Sequence, residues 1–341
     1  MDNNPGVLRA SGIWGVGSSV PERVLTNADL EQMVDTSDEW IQSRTGIQRR
    51  RIAAEDQAAS DLALEASRIA LDRAGVSAEE LDLVIVATVT PDMAFPATAC
   101  IVADRLGNNS AAAFDLEAGC TGFVYALTVG SQMIATGAFN RVLVVGSEIL
   151  SCITDWEDRA SCVLFGDAAG AAVLGPALPG TGILSHVLGS DGSGGDVLYM
   201  PAGGSRLPAT EETVASRQHF LKMKGGEVFK FAVRAMARSA SEAAARAGLE
   251  PSDIDCYIPH QANNRIITAS ASRLGIPLEK VVMNIHEYGN TSSASIPLAL
   301  AEAWENGRIE PGDHVLLVGF GAGLTWGATV MKWMSDEERV L

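Results

Sequence analysis

Three side chains sit where an apolar run gives way to a small polar turn, and their types suit acyl chemistry. Cys120 lies in Leu116-Glu-Ala-Gly-Cys-Thr-Gly-Phe-Val-Tyr-Ala-Leu127, flanked by glycines, with an uncharged helical pattern continuing to about Gly137. A thiol at a helix start meets free N–H groups and partial positive charge, which are expected to lower its pKa toward neutrality and to bind an oxyanion. Most free cysteines are instead small buried apolar groups, the expectation for Cys100, Cys152, Cys162 and Cys256. His260 lies in Ile258-Pro-His-Gln-Ala-Asn-Asn-Arg265, just after Pro259 is expected to stop an apolar strand. A lone histidine is most often structural, but a neutral imidazole at a strand end can donate one N–H to a substrate carbonyl. Asn290, in Asn284-Ile-His-Glu-Tyr-Gly-Asn-Thr-Ser-Ser293, carries an uncharged amide donor, and its plain use is to cap the helix that follows. A fourth segment, Val318-Gly-Phe-Gly-Ala-Gly-Leu-Thr-Trp326, is either a simple hairpin or a turn whose backbone N–H can approach a reacting group.

The elements that would bring these groups together show an internal repeat. Arg73-Ala-Gly-Val76 followed by Asp82-Leu-Val-Ile-Val-Ala87 parallels Arg246-Ala-Gly-Leu249 followed by Asp255-Cys-Tyr-Ile-Pro-His260, at an offset of 173 residues. Val142-Leu-Val-Val-Gly146 and Val315-Leu-Leu-Val-Gly319 keep that offset, Arg105-Leu-Gly107 and Arg273-Leu-Gly275 stand 168 apart, and Gly119-Cys-Thr121 and Gly289-Asn-Thr291 stand 170 apart. Ordered anchors with small insertions indicate duplication, with halves at 1–176 and 177–341. Each half alternates helical segments with short Val/Ile/Leu runs, the rhythm of α/β units with buried parallel strands. Cys120 and Asn290 occupy equivalent points, so a pseudo-twofold axis would bring them near each other.

Composition narrows the function. The 341 residues are 47% hydrophobic and 20% charged, which excludes disorder and coiled coil, and the length suits two core-bearing units. A formal charge of −17 disfavours nucleic acid and anionic lipid as partners. The run Arg49-Arg50-Arg51 is too short to reverse that. Residues 1–6 lack the pattern of a secretory signal, so the protein is expected in the cytoplasm. The stretch from Val315 to Met331 is uncharged but too short and glycine-rich for a membrane helix, and reads as two buried strands around a turn. An odd five cysteines with no C-x-x-C pair argue against disulfides and zinc, and no metal is expected.

These segments resemble the thiolase-like condensing enzymes, most closely the β-ketoacyl-acyl carrier protein synthase III family. The resemblance runs along nearly the whole chain through Thr36-Ser-Asp-Glu-Trp-Ile-Gln-Ser-Arg-Thr-Gly-Ile47, Ala94-Phe-Pro96, Ala118-Gly-Cys-Thr-Gly-Phe123, Phe165-Gly-Asp-Ala-Ala-Gly170, Pro259-His-Gln-Ala-Asn263, Tyr288-Gly-Asn-Thr-Ser-Ser-Ala-Ser-Ile296 and Gly321-Ala-Gly-Leu-Thr-Trp326. It implies an α/β, five-layered αβαβα fold of two similar halves. It also implies a two-stage reaction: acyl-CoA acylates Cys120, then malonyl-acyl carrier protein loses CO2 and its carbanion attacks the acyl-enzyme. His260 and Asn290 match the pair that holds the malonyl carbonyl, and the N–H groups of Cys120 and Ala322 match the oxyanion site. Trp40, Arg44, Arg159, Gly225 and Asn263 match CoA contacts, and acyl-CoA is a substrate, so no cofactor is implied. Phe95 matches a residue that crosses a homodimer to limit the partner's acyl pocket. Lys230, Arg265 and Arg273 match or adjoin a basic docking patch for the acidic carrier, in which one commonly basic position is Ser272 here.

Rival readings follow from the same residues. Chalcone-type polyketide synthases share Cys, His and Asn, and quinolone-forming relatives accept aromatic starters. A papain-like peptidase uses the same three residues in that order, but Ala118-Gly-Cys-Thr-Gly122 lacks its local cysteine signature. A non-catalytic thiolase-like binding protein is disfavoured by retention of all three reactive groups.

Overall fold

The computed structural model describes residues 8–341, so the N-terminal stretch read for a secretion signal lies outside the described residues. The first sheet uses β1 (Ala10–Ser19), β2 (Leu83–Ala87), β3 (Ala112–Leu116), β4 (Val142–Glu148) and β5 (Ala168–Ala177), in the spatial order β1-β5-β4-β2-β3. The second uses β6 (Gly182–Ser190), β7 (Cys256–Pro259), β8 (His314–Gly321) and β9 (Thr325–Lys332), in the order β7-β8-β9-β6.

Pairing repeats with the strand order. β2 and β4 are parallel while β4–β5 and β5–β1 are antiparallel. β7 and β8 are likewise parallel while β8–β9 and β9–β6 are antiparallel. The fifth strand of the first sheet, β3, pairs Ala113 with Val84, and its counterpart in the second half has shrunk to the single parallel bridge Tyr257–Val281.

Five helices complete the layers: α1 (Ala59–Ala74), α2 (Gly122–Ala135), α3 (Gly225–Arg246), α4 (Asn264–Leu274) and α5 (Ser295–Glu305). α1 covers the outer face of the first sheet, α2 and α5 lie between the sheets, and α3 with α4 covers the outer face of the second.

The unbroken apolar runs of the strands follow from burial on both faces. Leu83 and Ile85 face the central layer with Phe123, Leu127, Ile296 and Leu300, while Val84 and Val86 face Ala63, Ala66 and Ala70 of α1. In β8, Val315 and Leu317 join the central layer and Leu316 and Val318 pack on Met236 and Ala240 of α3. α2 buries residues around most of its circumference, which is why it carries no charge. Among the described residues no helix is long and apolar enough to cross a membrane, and the uncharged Val315–Met331 stretch forms the β8–β9 hairpin. Pro259 is the last residue of its strand, as expected. It pairs with Val318, and the His260 N–H extends the ladder to the Val318 carbonyl at 2.7 Å.

The sheets and the turn before α5 meet through glycine. A Cβ on Gly146, in β4, would stand 2.4 Å from the Ser293 carbonyl oxygen and 2.8 Å from its carbon, both backbone atoms. Gly146→Ala should therefore cost about 1–3 kcal/mol of strain and lower the melting temperature by several degrees in a thermal scan. An unchanged melting temperature would show that these segments are not held at this spacing.

Candidate active site

Cys120 lies in the short turn Gly119–Thr121 that opens α2 and is buried. Gly119 takes φ +55°, and a Cβ there would come within 2.8 Å of the Ala322 nitrogen. A Cβ on Gly321 would come within 2.5 Å of the Cys120 nitrogen. The start of α2 and the β8–β9 turn are thus in backbone contact beside the nitrogens of Cys120 and Ala322. Thr325 ties them, its hydroxyl 2.8 Å from the Ala118 carbonyl and 3.1 Å from that of Ala322.

The acidity of Cys120 departs from expectation. Burial pushes the thiol up to about 12, a Ser292 hydrogen bond pulls it down, and the nearby Glu148 charge pushes it up further. In this enclosed site desolvation outweighs the helix start, so the resting nucleophile is a thiol.

His260 is fully buried and donates or accepts at Nδ1 with Ser295 Oγ, 2.6 Å away, while Nε2 has no partner among the described residues. Burial depresses its pKa to about 3, so the ring is neutral at pH 7. The Asn290 carboxamide accepts the Ser292 N–H at Oδ1, 2.9 Å away, which turns Nδ2 outward as the donor. Asn290 therefore does cap the turn before α5, and that cap orients its amide. Asn290 and Cys120 both contact Ser292, and His260 contacts Ser295, so one turn, residues 292–295, joins all three.

A cavity of about 630 Å³ opens at Cys120, Ser292 and Ala322 and is walled by Val89, Leu150, Ile153, Phe165, Leu198 and Leu221; His260 and Asn290 do not line it. Phe95 does not line it either, but is 84% exposed beside the lining residues Met93 and Ala94. Arg159 stacks over the Trp40 ring at 5.1 Å, and Asn263 Nδ2 donates to the Arg44 carbonyl at 3.0 Å while its Oδ1 caps α4. Gly225, exposed, opens α3. Lys230, Arg265 and Arg273 are exposed on the neighbouring helices α3 and α4, where Arg234 and Arg238 extend the Lys230 row by one and two turns.

The comparisons follow this geometry. The family model described as 3-oxoacyl-[acyl-carrier-protein] synthase III matches residues 114–192, and its C-terminal model matches residues 244–333. The β-ketoacyl-[acyl-carrier-protein] synthase III of Desulfitobacterium hafniense (strain DSM 10664 / DCB-2) is 58% identical over 94% of this chain and 97% of its own. That of Symbiobacterium thermophilum is 58% identical over 96% and 99%. The crystal structure of the Thermus thermophilus synthase III superposes with a TM-score of 0.88 at 52% identity, covering 94% of this chain and 99% of that one. The chain belongs to the β-ketoacyl-acyl carrier protein synthase III family. Its fold is the thiolase-like one, and it is an acyltransferase of the condensing kind; a polyketide or quinolone starter reading is not favoured by these relatives.

The synthase III site also uses residues that sequence reasoning missed. Glu148 is fully buried at the end of β4 and is contacted by donors from Thr88, Val89, Thr90 and Ser293, with burial pushing its carboxyl up. Arg50 is fully buried and donates to the Leu25 and Val163 carbonyls, and Arg49 and Arg51 both pair with Glu287 near Asn290. The arginine run thus braces the loops beside Asn290. Cys162 and Cys256 are buried as expected, but Cys100 and Cys152 are exposed: each follows a turn or faces outward on a short helix rather than entering a core.

Neutral buried histidines have a thermodynamic signature. His260 is depressed to about 3 and His186, walled in by Thr128, Ser131 and Thr329, to about 4. Below about 6.5 the unfolded chain binds protons that these folded rings refuse, so stability falls as pH drops from 6.5 toward 3. His260→Gln should flatten the slope of unfolding free energy against pH by up to about 1.4 kcal/mol per pH unit near pH 5 in urea titrations. Equal slopes in parent and variant would show that His260 is not held neutral.

Proposed function

We propose that this chain condenses an acyl-CoA primer with malonyl-acyl carrier protein, giving 3-oxoacyl-acyl carrier protein, CoA and CO2 and so initiating fatty-acid synthesis. The observation that carries this reading is the meeting of a buried thiol, a neutral imidazole with a free Nε2 and an oriented carboxamide around residues 292–295.

In the first half-reaction the Cys120 sulfur attacks the acyl thioester, the tetrahedral oxyanion is held by the N–H groups of Cys120 and Ala322, and CoA leaves carrying the proton that Cys120 gives up. No net base is consumed, which suits a nucleophile that rests as a thiol. The acyl chain enters the apolar cavity, the Arg159–Trp40 stack clasps the CoA base, and Arg44, Gly225 and Asn263 lie along its path. In the second half-reaction His260 and Asn290 donate to the malonyl thioester carbonyl. Charge develops on that oxygen only as CO2 departs, so two uncharged donors stabilise the transition state more than the bound substrate. The enolate carbon then attacks the acyl carbonyl, and Cys120 leaves as a thiolate that takes up one proton from solvent to return to the resting thiol.

Neither half-reaction needs a cofactor. Lys230, Arg265 and Arg273 form the basic face for the acidic carrier on a chain of net charge −17. A homodimer is supported by the exposed edge strand β3, whose Phe114 is uncovered, and by the exposed Phe95, which would reach the partner's acyl pocket. The halves 1–176 and 177–341 each supply one central helix, and the cytoplasm is the compartment where these substrates are made.

Intact-mass spectrometry after acetyl-CoA should show one adduct on the parent and none on Cys120→Ala, whereas His260→Ala and Asn290→Ala should still acylate but lose CO2 release from malonyl-acyl carrier protein by about 100-fold or more. A persistent adduct on Cys120→Ala, or parental CO2 release by both other variants, would overturn the reading. Arg265→Glu should raise KM for malonyl-acyl carrier protein and flatten its salt dependence, leaving acylation nearly unchanged. Equal losses in both half-reactions would refute a docking role.

A further inference from the structure

We propose that Ser295 is a positioning residue for His260: its hydroxyl donates to Nδ1 and so keeps the single ring proton on Nε2, facing the malonyl thioester carbonyl. The inference rests on the enolate role proposed above for His260 and adds the group that makes a neutral imidazole a donor.

Ser295 Oγ stands 2.6 Å from His260 Nδ1 and 3.4 Å from the backbone nitrogen of Gln261. Both side chains are fully enclosed, His260 at 0% and Ser295 at 1% exposure. The Gln261 N–H can only donate, so the serine oxygen accepts it and the serine hydrogen is left to go elsewhere. The acceptor within its reach is the lone pair of an unprotonated Nδ1. In the opposite tautomer Nδ1–H would donate to the same oxygen, the serine hydrogen would lose that acceptor, and Nε2 would present a bare lone pair. Only the Nε2–H form satisfies the serine and gives the site a donor.

The ring is also fixed in plane. Phe320 meets it edge-on, centroids 5.3 Å apart with the ring planes at 64°, and the His260 N–H is tied to the Val318 carbonyl. Because Ser295 opens α5, the helix that the duplication pairs with α2, the tautomer of one half's histidine is set by the same central layer that presents Cys120 from the other.

Ser295→Ala should retain Cys120 acylation by acetyl-CoA but lose about 10–100-fold in CO2 release from malonyl-acyl carrier protein, at nearly unchanged KM, the scale typical of removing a partner that orients a histidine. Ser295→Thr, which keeps the hydroxyl, should recover part of the rate. Long-range 1H–15N correlation of 15N-histidine-labelled parent enzyme, with His260→Ala assigning the resonance among five histidines, should show protonated Nε2 and unprotonated Nδ1. A parent spectrum with the proton on Nδ1, or parental CO2 release by Ser295→Ala, would overturn the inference. If His260→Ala itself releases CO2 at the parental rate, it is the enolate role that fails.

Discussion

Everything at the site depends on how closely two backbone segments approach. Gly321 lies so near the Cys120 nitrogen that no side chain fits between them, and Gly119 lies equally near the Ala322 nitrogen. The start of α2 comes from the first half of the chain and the β8–β9 turn from the second, so this contact joins the two halves beside Cys120. Thr325 locks it through the carbonyls on either side. A single methyl group at either glycine would part the segments.

Around that contact the side chains are buried, and burial sets the ionisation of each group. Enclosure keeps the Cys120 thiol protonated, His260 neutral and Glu148 shifted toward its acid form. A neutral thiol and a neutral imidazole are suited to a reaction whose charge appears on one oxygen and then disappears. The polar atoms that remain are spent on orientation: Ser292 on Asn290, Ser293 on Glu148, Ser295 on His260. Three residues of this four-residue turn thus hold Asn290, Glu148 and His260, which arrive from different segments of the chain.

Much of this was legible in the sequence because the duplication left ordered anchors. The 173-residue offset relating Val84 to Tyr257 reappears as equivalent strands, and the 168-residue offset relating Ala113 to Val281 reappears as equivalent parallel pairings. Cys120 and Asn290 could be placed at the two central helices for the same reason. What escaped was set by contacts between distant segments. Nothing local distinguishes Ser295 from its neighbours until His260 is folded against it, and Glu148 reads as the end of a strand until Thr88, Thr90 and Ser293 close around it. Arg50 reads as surface charge, but three carbonyl and amide oxygens from two distant segments, residues 25–27 and Val163, draw it inside. The sign of the Cys120 shift was misjudged because the helix start is visible in sequence, whereas the depth of burial opposing it is not.

The central claim is that acyl group and malonyl carbonyl are held by two different donor sets meeting at one turn. Its most direct test is a crystal structure of the acetylated enzyme with a malonyl thioester analogue that cannot lose CO2. The account predicts the acetyl oxygen about 2.7–3.1 Å from the N–H groups of Cys120 and Ala322, and the analogue's thioester oxygen at similar distances from His260 Nε2 and Asn290 Nδ2. A thioester oxygen held by the backbone pair, with His260 and Asn290 turned away from it, would contradict the account.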